Sequence, residues 1–315
     1  MKRKGLLSLS IITALTVLPA QMSASEVTTG VDSLGNVVEI GHELPKASIK
    51  GEETFSTASI VEATTEVEIL DGNGNKKGDK VIKENKDMKD KESKQEEKEA
   101  KKEEKNLHKH SDDSEELFGI FDWFRNGDDS GSGGGTTPPT EPTGNRVVTV
   151  LIAVDEEYRA ARPDWQTFTQ NIVERADDAF IRDHGIDFEI KAVAEWSSQG
   201  NNASEILQDL DRDWNGRGYD FVVGFTRDAK FNSGGIAYVY PYAPNGSAIS
   251  VNLDQGAENT WHAAQHEFSH NYGLGHDPQG SGIRCIMNYD YSYSVDYWDQ
   301  EHDDVIQQHK TWFGQ

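Results

Sequence analysis

The sequence predicts an α/β fold for residues 146–315: a largely parallel sheet with helices packed on it. Three observations predict it. From Arg146 onward, apolar runs of strand length alternate with stretches of helical period. The composition changes abruptly at that residue, after a long polar front half. About 170 residues is also enough chain for one proper core.

The elements follow in order. RVVTVLIAVD (146–155) reads as a strongly apolar strand. PDWQTFTQNIVERADDAFIRDHG (163–185) reads as a helix that opens on Pro163 and stops at Gly185. Its Phe168, Ile172, Ala176, Ala179 and Phe180 recur at helical spacing. FEIKAVAEW (188–196) is a second strand, ASEILQDLDRDW (203–214) a short helix, and YDFVVGFT (219–226) a third strand. GGIAYVYP (234–241) and AISVNLD (248–254) are two more, and the short link between them allows a local antiparallel pair. A histidine-bearing helix comes next, and WDQEHDDVIQQHKTWF (298–313) closes the chain as another helix.

The front half divides differently. Residues 1–25 carry a basic start (Lys2, Arg3, Lys4), an apolar core from Leu6 to Leu18 and a small-residue segment, the pattern of a signal peptide. The apolar run is too short to span a membrane comfortably, so a secreted protein is expected, with no membrane attachment after signal removal. Residues 26–125 read as a propeptide. VVEI (37–40) and TEVEIL (65–70) could be strands in it, and the Lys/Glu-rich tract is solvated or partly disordered. ELFGIFDWF (116–124) is an apolar cluster expected to dock on something. Residues 126–145 form a Gly/Ser/Pro linker. The formal net charge of -24 argues against nucleic acid or anionic membrane as partners. One cysteine, Cys285, cannot make a disulfide within the chain.

The chemistry concentrates in HEFSHNYGLGH (266–276). His266 and His270 are four apart, so on a helix they share a face and can bind one Zn²⁺. Gly273 can take the left-handed conformation that ends the helix, and the chain then returns His276 to the same ion. Three neutral imidazoles leave a fourth position for water. Glu267 is placed to take a proton from that water and pass it to a leaving amine. A chance match to HExxHxxGxxH in a chain of this length is on the order of 10⁻⁵.

This motif resembles the zinc-binding consensus of the metzincins, a clan of zinc endopeptidases. CIMNY (285–289) supplies Met287, similar to the clan's methionine-containing turn beneath the metal. Asp277 and Cys-Ile-Met resemble the adamalysin branch. Tyr289 resembles the astacin and serralysin branches, where such a tyrosine is a metal ligand that swings away to stabilise the transition state. Secreted bacillar metzincins are similar in combining both features. The resemblance implies a five-stranded, mostly parallel twisted sheet with one antiparallel edge strand, and a smaller C-terminal subdomain with the Met-turn and a C-terminal helix. It further implies one catalytic zinc ion, catalytic Glu267 and Tyr289, and peptide substrates. These would bind as an extended strand along an exposed GGIAYVYP edge. Adamalysin-type enzymes pair the turn cysteine; Cys285 has no partner and reads as a buried thiol acting as a small apolar residue. Tyr289 could instead be one member of an aromatic loop with Tyr291, Tyr293 and Tyr297.

An exported protease must be held silent, so the propeptide is expected to inhibit its own enzyme until an activating protease cuts the linker. WFRNGDD (123–129) loosely resembles the astacin latency segment, which predicts that ELFGIFDWF docks in the cleft and Asp128 or Asp129 meets the zinc. His108 and His110 could also serve, but in a charged tract such histidines read as solvated. DGNGNKKGD (71–79) departs from a calcium loop at Lys76 and Ile82 and reads as a turn between strands; a calcium requirement is left open. The working enzyme is expected to be a monomer. Two rival readings exist. One is a non-catalytic, zinc-stabilised extracellular binding module, for which Glu267 would have no use. The other is an amidase on non-protein substrates, which usually has a different ligand layout.

Overall fold

The computed structural model describes residues 27–55, 65–82 and 145–315. The signal segment, the Lys/Glu-rich tract, ELFGIFDWF, Asp128, Asp129 and residues 126–144 of the linker lie outside the described residues.

Among the described residues the front half contributes five strands: β1 (Thr28–Val31), β2 (Val37–Ile40), β3 (Glu43–Leu44), β4 (Thr65–Leu70) and β5 (Lys76–Ile82). Two turns built alike close the hairpins β1–β2 and β4–β5. In the first, Asp32 Oδ1 accepts from the backbone N–H of Leu34 and Asn36. In the second, Asp71 Oδ1 accepts from those of Asn73 and Asn75. A short carboxylate that bonds its own backbone two and four residues on fixes a tight turn. DGNGN is therefore a turn between strands, as its residues predict.

The second half follows the predicted alternation: β6 (Arg146–Val154), α1 (Glu156–Ala161), α2 (Trp165–Ala176), β7 (Ile186–Glu195), α3 (Ala203–Trp214), β8 (Phe221–Thr226), β9 (Gly235–Ala237), β10 (Ala248–Leu253), α4 (Ala257–Asn271) and α5 (Gln300–His309). Helix α1 has no counterpart among the expected elements. It starts because the Asp155 side chain accepts from the Tyr158 N–H at 2.8 Å, an N-cap. Pro163 follows close behind its end. The single helix expected over 163–185 is broken: α2 is followed by a π-helical turn over Phe180–His184. The break falls at Asp177, whose carboxylate accepts from Phe188 N–H on the next strand. Gly185, at φ 62°, ends the turn.

The strands form one eight-stranded sheet in the order β3-β9-β10-β8-β6-β7-β4-β5, beside the separate β1–β2 hairpin. Its central five, β9-β10-β8-β6-β7, are the predicted sheet: four parallel strands and an antiparallel β9. β8 is buried on both faces, which is why it reads as a continuous apolar run. The front half adds β4 and β5 beyond β7 and β3 beyond β9. The expected exposed edge is therefore corrected: GGIAYVYP pairs in a ladder over only three residues, and β3 covers it.

Helix α4 lies on this sheet. Phe268 stacks on Phe188 at 5.0 Å and meets Phe221 edge-on at 5.8 Å, and Tyr272 meets Phe313 edge-on at 5.2 Å. Such aromatic pairs contribute about 0.5–1.5 kcal/mol each beyond their burial. Among the described residues, no helix is long and apolar enough to cross a membrane.

Candidate metal centre

The histidine helix begins under the front half. Gly256 precedes it at φ 87°, and a Cβ there would lie 2.5 Å from the Glu52 carbonyl oxygen and 2.6 Å from that of Gly51. That close approach lets Glu52 O accept from Ala257 N–H at 2.6 Å, satisfying one of the helix's unpaired donors. Nearly every side chain of α4 is buried. One face meets the sheet aromatics, and another carries His266 and His270, with ring centroids 4.7 Å apart. Gly273 ends the helix at φ 88°, and the chain returns His276 to the pair. His276 Nε2 lies 3.1 Å from His266 Nε2 and 2.9 Å from His270 Nε2.

The Nδ1 atoms fix which nitrogens face the centre. His266 Nδ1 donates to Ile286 O at 2.7 Å, and His270 Nδ1 donates to Leu274 O at 2.7 Å. Each Nε2 is then a lone pair, and one proton on His276 could serve only one of them. Three converging nitrogens need a cation. A proton is disfavoured: burial and the His42 and His302 charges hold His266 down to about 4, and burial with His266, His42 and His302 holds His276 down to about 2. Burial and the neighbouring imidazoles also depress His270. The residues therefore fit a metal ion, with the second nitrogens of His266 and His270 held by backbone carbonyls as ligating imidazoles require.

Glu267 stands beside this centre, fully buried, and neither carboxylate oxygen has a protein partner. Burial, and secondarily the Glu43 carboxylate, pushes its pKa well up. Its side chain lies against Gly235 of β9, where a Cβ would sit 2.4 Å from Oε1. The Tyr289 ring is 4.2 Å from that of His276 and 6.0 Å from that of His266. Its hydroxyl donates to the Glu43 carbonyl at 3.0 Å. Met287 is buried in the turn below, and its carbonyl accepts from Asp277 N–H at 3.2 Å. The turn thus fixes the His266 ring through Ile286 and the backbone after His276 through Met287.

Comparison with known proteins bears on this constellation. Residues 144–299 match the family described as Metallo-peptidase family M12. These residues form a metallopeptidase domain of the M12 type. Among solved structures, the chain is similar to metalloproteinase-II from Bacteroides fragilis at 13% identity, covering 54% of this chain and 55% of that one, with a TM-score of 0.40. It is also similar to a chain in a structure of a chaperone-substrate complex, at 12% identity over 54% of this chain and 35% of that one, with a TM-score of 0.39. The match spans about half of the first and about a third of the second, and at these scores neither adds to the assignment. No curated protein sequence matches.

The metallopeptidase domain gathers every residue that the motif singled out: His266, Glu267, His270, His276, Met287 and Tyr289. It also gathers residues the sequence did not mark. His42, Glu43 and Pro45 come from the front half, and Tyr293 donates to Pro45 O at 2.8 Å. Nothing in the local pattern of EIGHELP distinguishes His42 from a surface histidine.

Cys285 differs in part from expectation. It is a free, buried thiol, but its surroundings are polar: Sγ lies 3.4 Å from His302 Nδ1 and accepts from Met287 N–H at 3.4 Å. Burial pushes the thiol up from its ordinary 9.0 to about 12. The folded chain thus holds this proton longer than the unfolded one. The stability it contributes is complete below about pH 9 and is lost as pH rises towards 12. At pH 8 the native thiol is expected to resist iodoacetamide and the urea-unfolded thiol to react, as read by intact mass. Rapid labelling of the native chain would contradict this placement.

Proposed function

We propose that this metallopeptidase is a secreted, zinc-dependent endopeptidase made as a latent precursor. One observation carries the reading: three imidazole Nε2 atoms converge beside a buried carboxylate, Glu267, that has no protein partner. In a non-catalytic zinc module that carboxylate would cost about 1–3 kcal/mol and serve nothing. As a general base beside the fourth position it has a use. His266, His270 and His276 would hold the ion, and three neutral imidazoles in a compact cluster suit zinc.

A zinc ion held there would supply Lewis acidity towards a water and the scissile carbonyl. Glu267 takes the proton from that water and passes it to the leaving amine. The Tyr289 hydroxyl, which already donates to a peptide carbonyl in the cleft, is placed to donate to the oxygen that gains charge in the transition state. Once the front-half strand β3 has left it, the β9 edge takes the substrate as an added antiparallel strand, and main-chain hydrogen bonds supply most of the grip.

Latency follows from what lies in the cleft. Residues 39–53 run along β9 and over the start of α4. The guanidinium of Arg162 pairs with buried Asp254 through two contacts, 2.6 and 2.8 Å, and reaches the Glu53 carbonyl at 2.8 Å and its carboxylate at 2.9 Å. The Glu53 side chain is half exposed, so its ion pair is worth about 0–1 kcal/mol. The segment is held by backbone pairing rather than by that charge. An activating protease would cut in the 126–145 linker, and the released enzyme would act as a monomer.

The test starts from the secreted product. Its new N-terminus is expected near residue 146, its casein digestion is expected to stop with a zinc chelator, and added zinc should restore it. Undiminished cleavage by a metal-free product would end the reading.

A further inference from the structure

The segment in the cleft does more than cover it. We propose that His42 is a fourth ligand of the metal, so that the intact chain closes the centre as a four-histidine site; this rests on the metal-site reading above.

The placement comes from a mismatch in strand register. Glu39 pairs with Val239, exchanging both backbone hydrogen bonds at 2.9 and 3.2 Å. Further on, Glu43 pairs with Ile236 and Leu44 with Gly235. Four steps on the segment, 39 to 43, therefore face three on the edge, 239 to 236. The extra residue is a bulge, and a bulge re-aims a side chain. Gly41 sits in it at φ 106°, a conformation open to glycine. The side chain turned inward is His42, whose ring lies 5.2 Å from that of His270 and 5.3 Å from that of His276. One nitrogen from each of these three rings lies within 4.8 Å of the others.

Its two nitrogens are not equivalent. Nε2 lies 3.1 Å from Glu39 Oε2, so it carries the proton and donates. Nδ1 is buried and has no hydrogen-bond partner. A buried lone pair beside two of the three imidazoles, His270 and His276, with the other nitrogen steered by a carboxylate, is the arrangement of a metal-bound histidine. The segment runs antiparallel to β9, the direction expected of a substrate, yet it would survive because the imidazole takes the position the attacking water needs. The plug thus comes from residue 42.

The test uses the full chain in a Glu267→Gln background, so that it stays intact, loaded with Zn²⁺ or Co²⁺. X-ray absorption is expected to count four imidazoles, and three after His42→Ala, with a matching change in the Co²⁺ visible bands. Acetohydroxamate, a small chelating probe, is expected to bind the His42→Ala chain at least tenfold more tightly. His42→Asp, which restores a ligand, should exclude it again. Stoichiometric metal with three imidazoles in both chains and equal probe binding overturns the role of His42 alone. A chain that takes up no metal, or keeps it undiminished after His270→Ala, overturns the metal site itself.

Discussion

Glu267→Gln is expected to keep the metal and the fold while losing about 10²–10⁴ in turnover, the usual range for a general acid–base group. The argument is geometric. Glutamine has the size of glutamate, and the carboxylate it replaces makes no protein hydrogen bond that could be lost. The three imidazoles are oriented by one another and by Ile286 and Leu274 carbonyls, not by Glu267. Metal content by elemental analysis should therefore match the parent, and so should the melting temperature. The kcat of the processed enzyme on a peptide should fall with little change in KM, because the group acts on a proton in flight rather than on bound substrate. Loss of the metal along with activity would reassign Glu267 to holding the ion. Parental turnover would remove it from the chemistry altogether.

The second large effect is expected from one methyl group. In Gly235→Ala the new Cβ would lie 2.4 Å from Glu267 Oε1 and 2.9 Å from both Cδ and Cγ. No other atom is among its three nearest neighbours, so the collision is with one flexible side chain and the backbone need not move. Glu267 must turn away from its position by about an ångström. Misplacing a catalytic group by that much costs about 10²-fold in rate. Stability should change little, because the moving carboxylate gives up no bond. The diagnostic pattern is a fall in kcat of about 10²-fold with metal content and melting temperature held. A drop in melting temperature of many degrees with parental kcat in the surviving fraction would mean that the strand, not the base, absorbs the strain.

Much of the catalytic half was legible because its signals are local. Apolar runs such as RVVTVLIAVD announce strands buried on both faces, and the antiparallel β9 followed from a link too short for a crossover. His266 and His270 are brought together by the pitch of one helix, and Gly273 by its freedom at positive φ tells where the chain can turn back. What failed was also local in origin. Asp177 interrupts the expected helix because its carboxylate is claimed by Phe188 N–H, a partner eleven residues away that no periodicity encodes. Helix α1 is only six residues long, too short for its apolar positions to repeat, so the Asp155 cap alone marks it.

The sequence by itself determined the chemistry: three imidazoles and a carboxylate at fixed spacing, a methionine turn after them, and a sheet to carry the helix. Only the tertiary structure decided what stands opposite that chemistry. His42 is separated from His266 by more than two hundred positions, and its meeting with the centre depends on a one-residue mismatch between β9 and a segment with no marked pattern. Helical spacing is written in neighbouring residues, whereas strand pairing across a chain is fixed by register, and register is set only when the two edges meet.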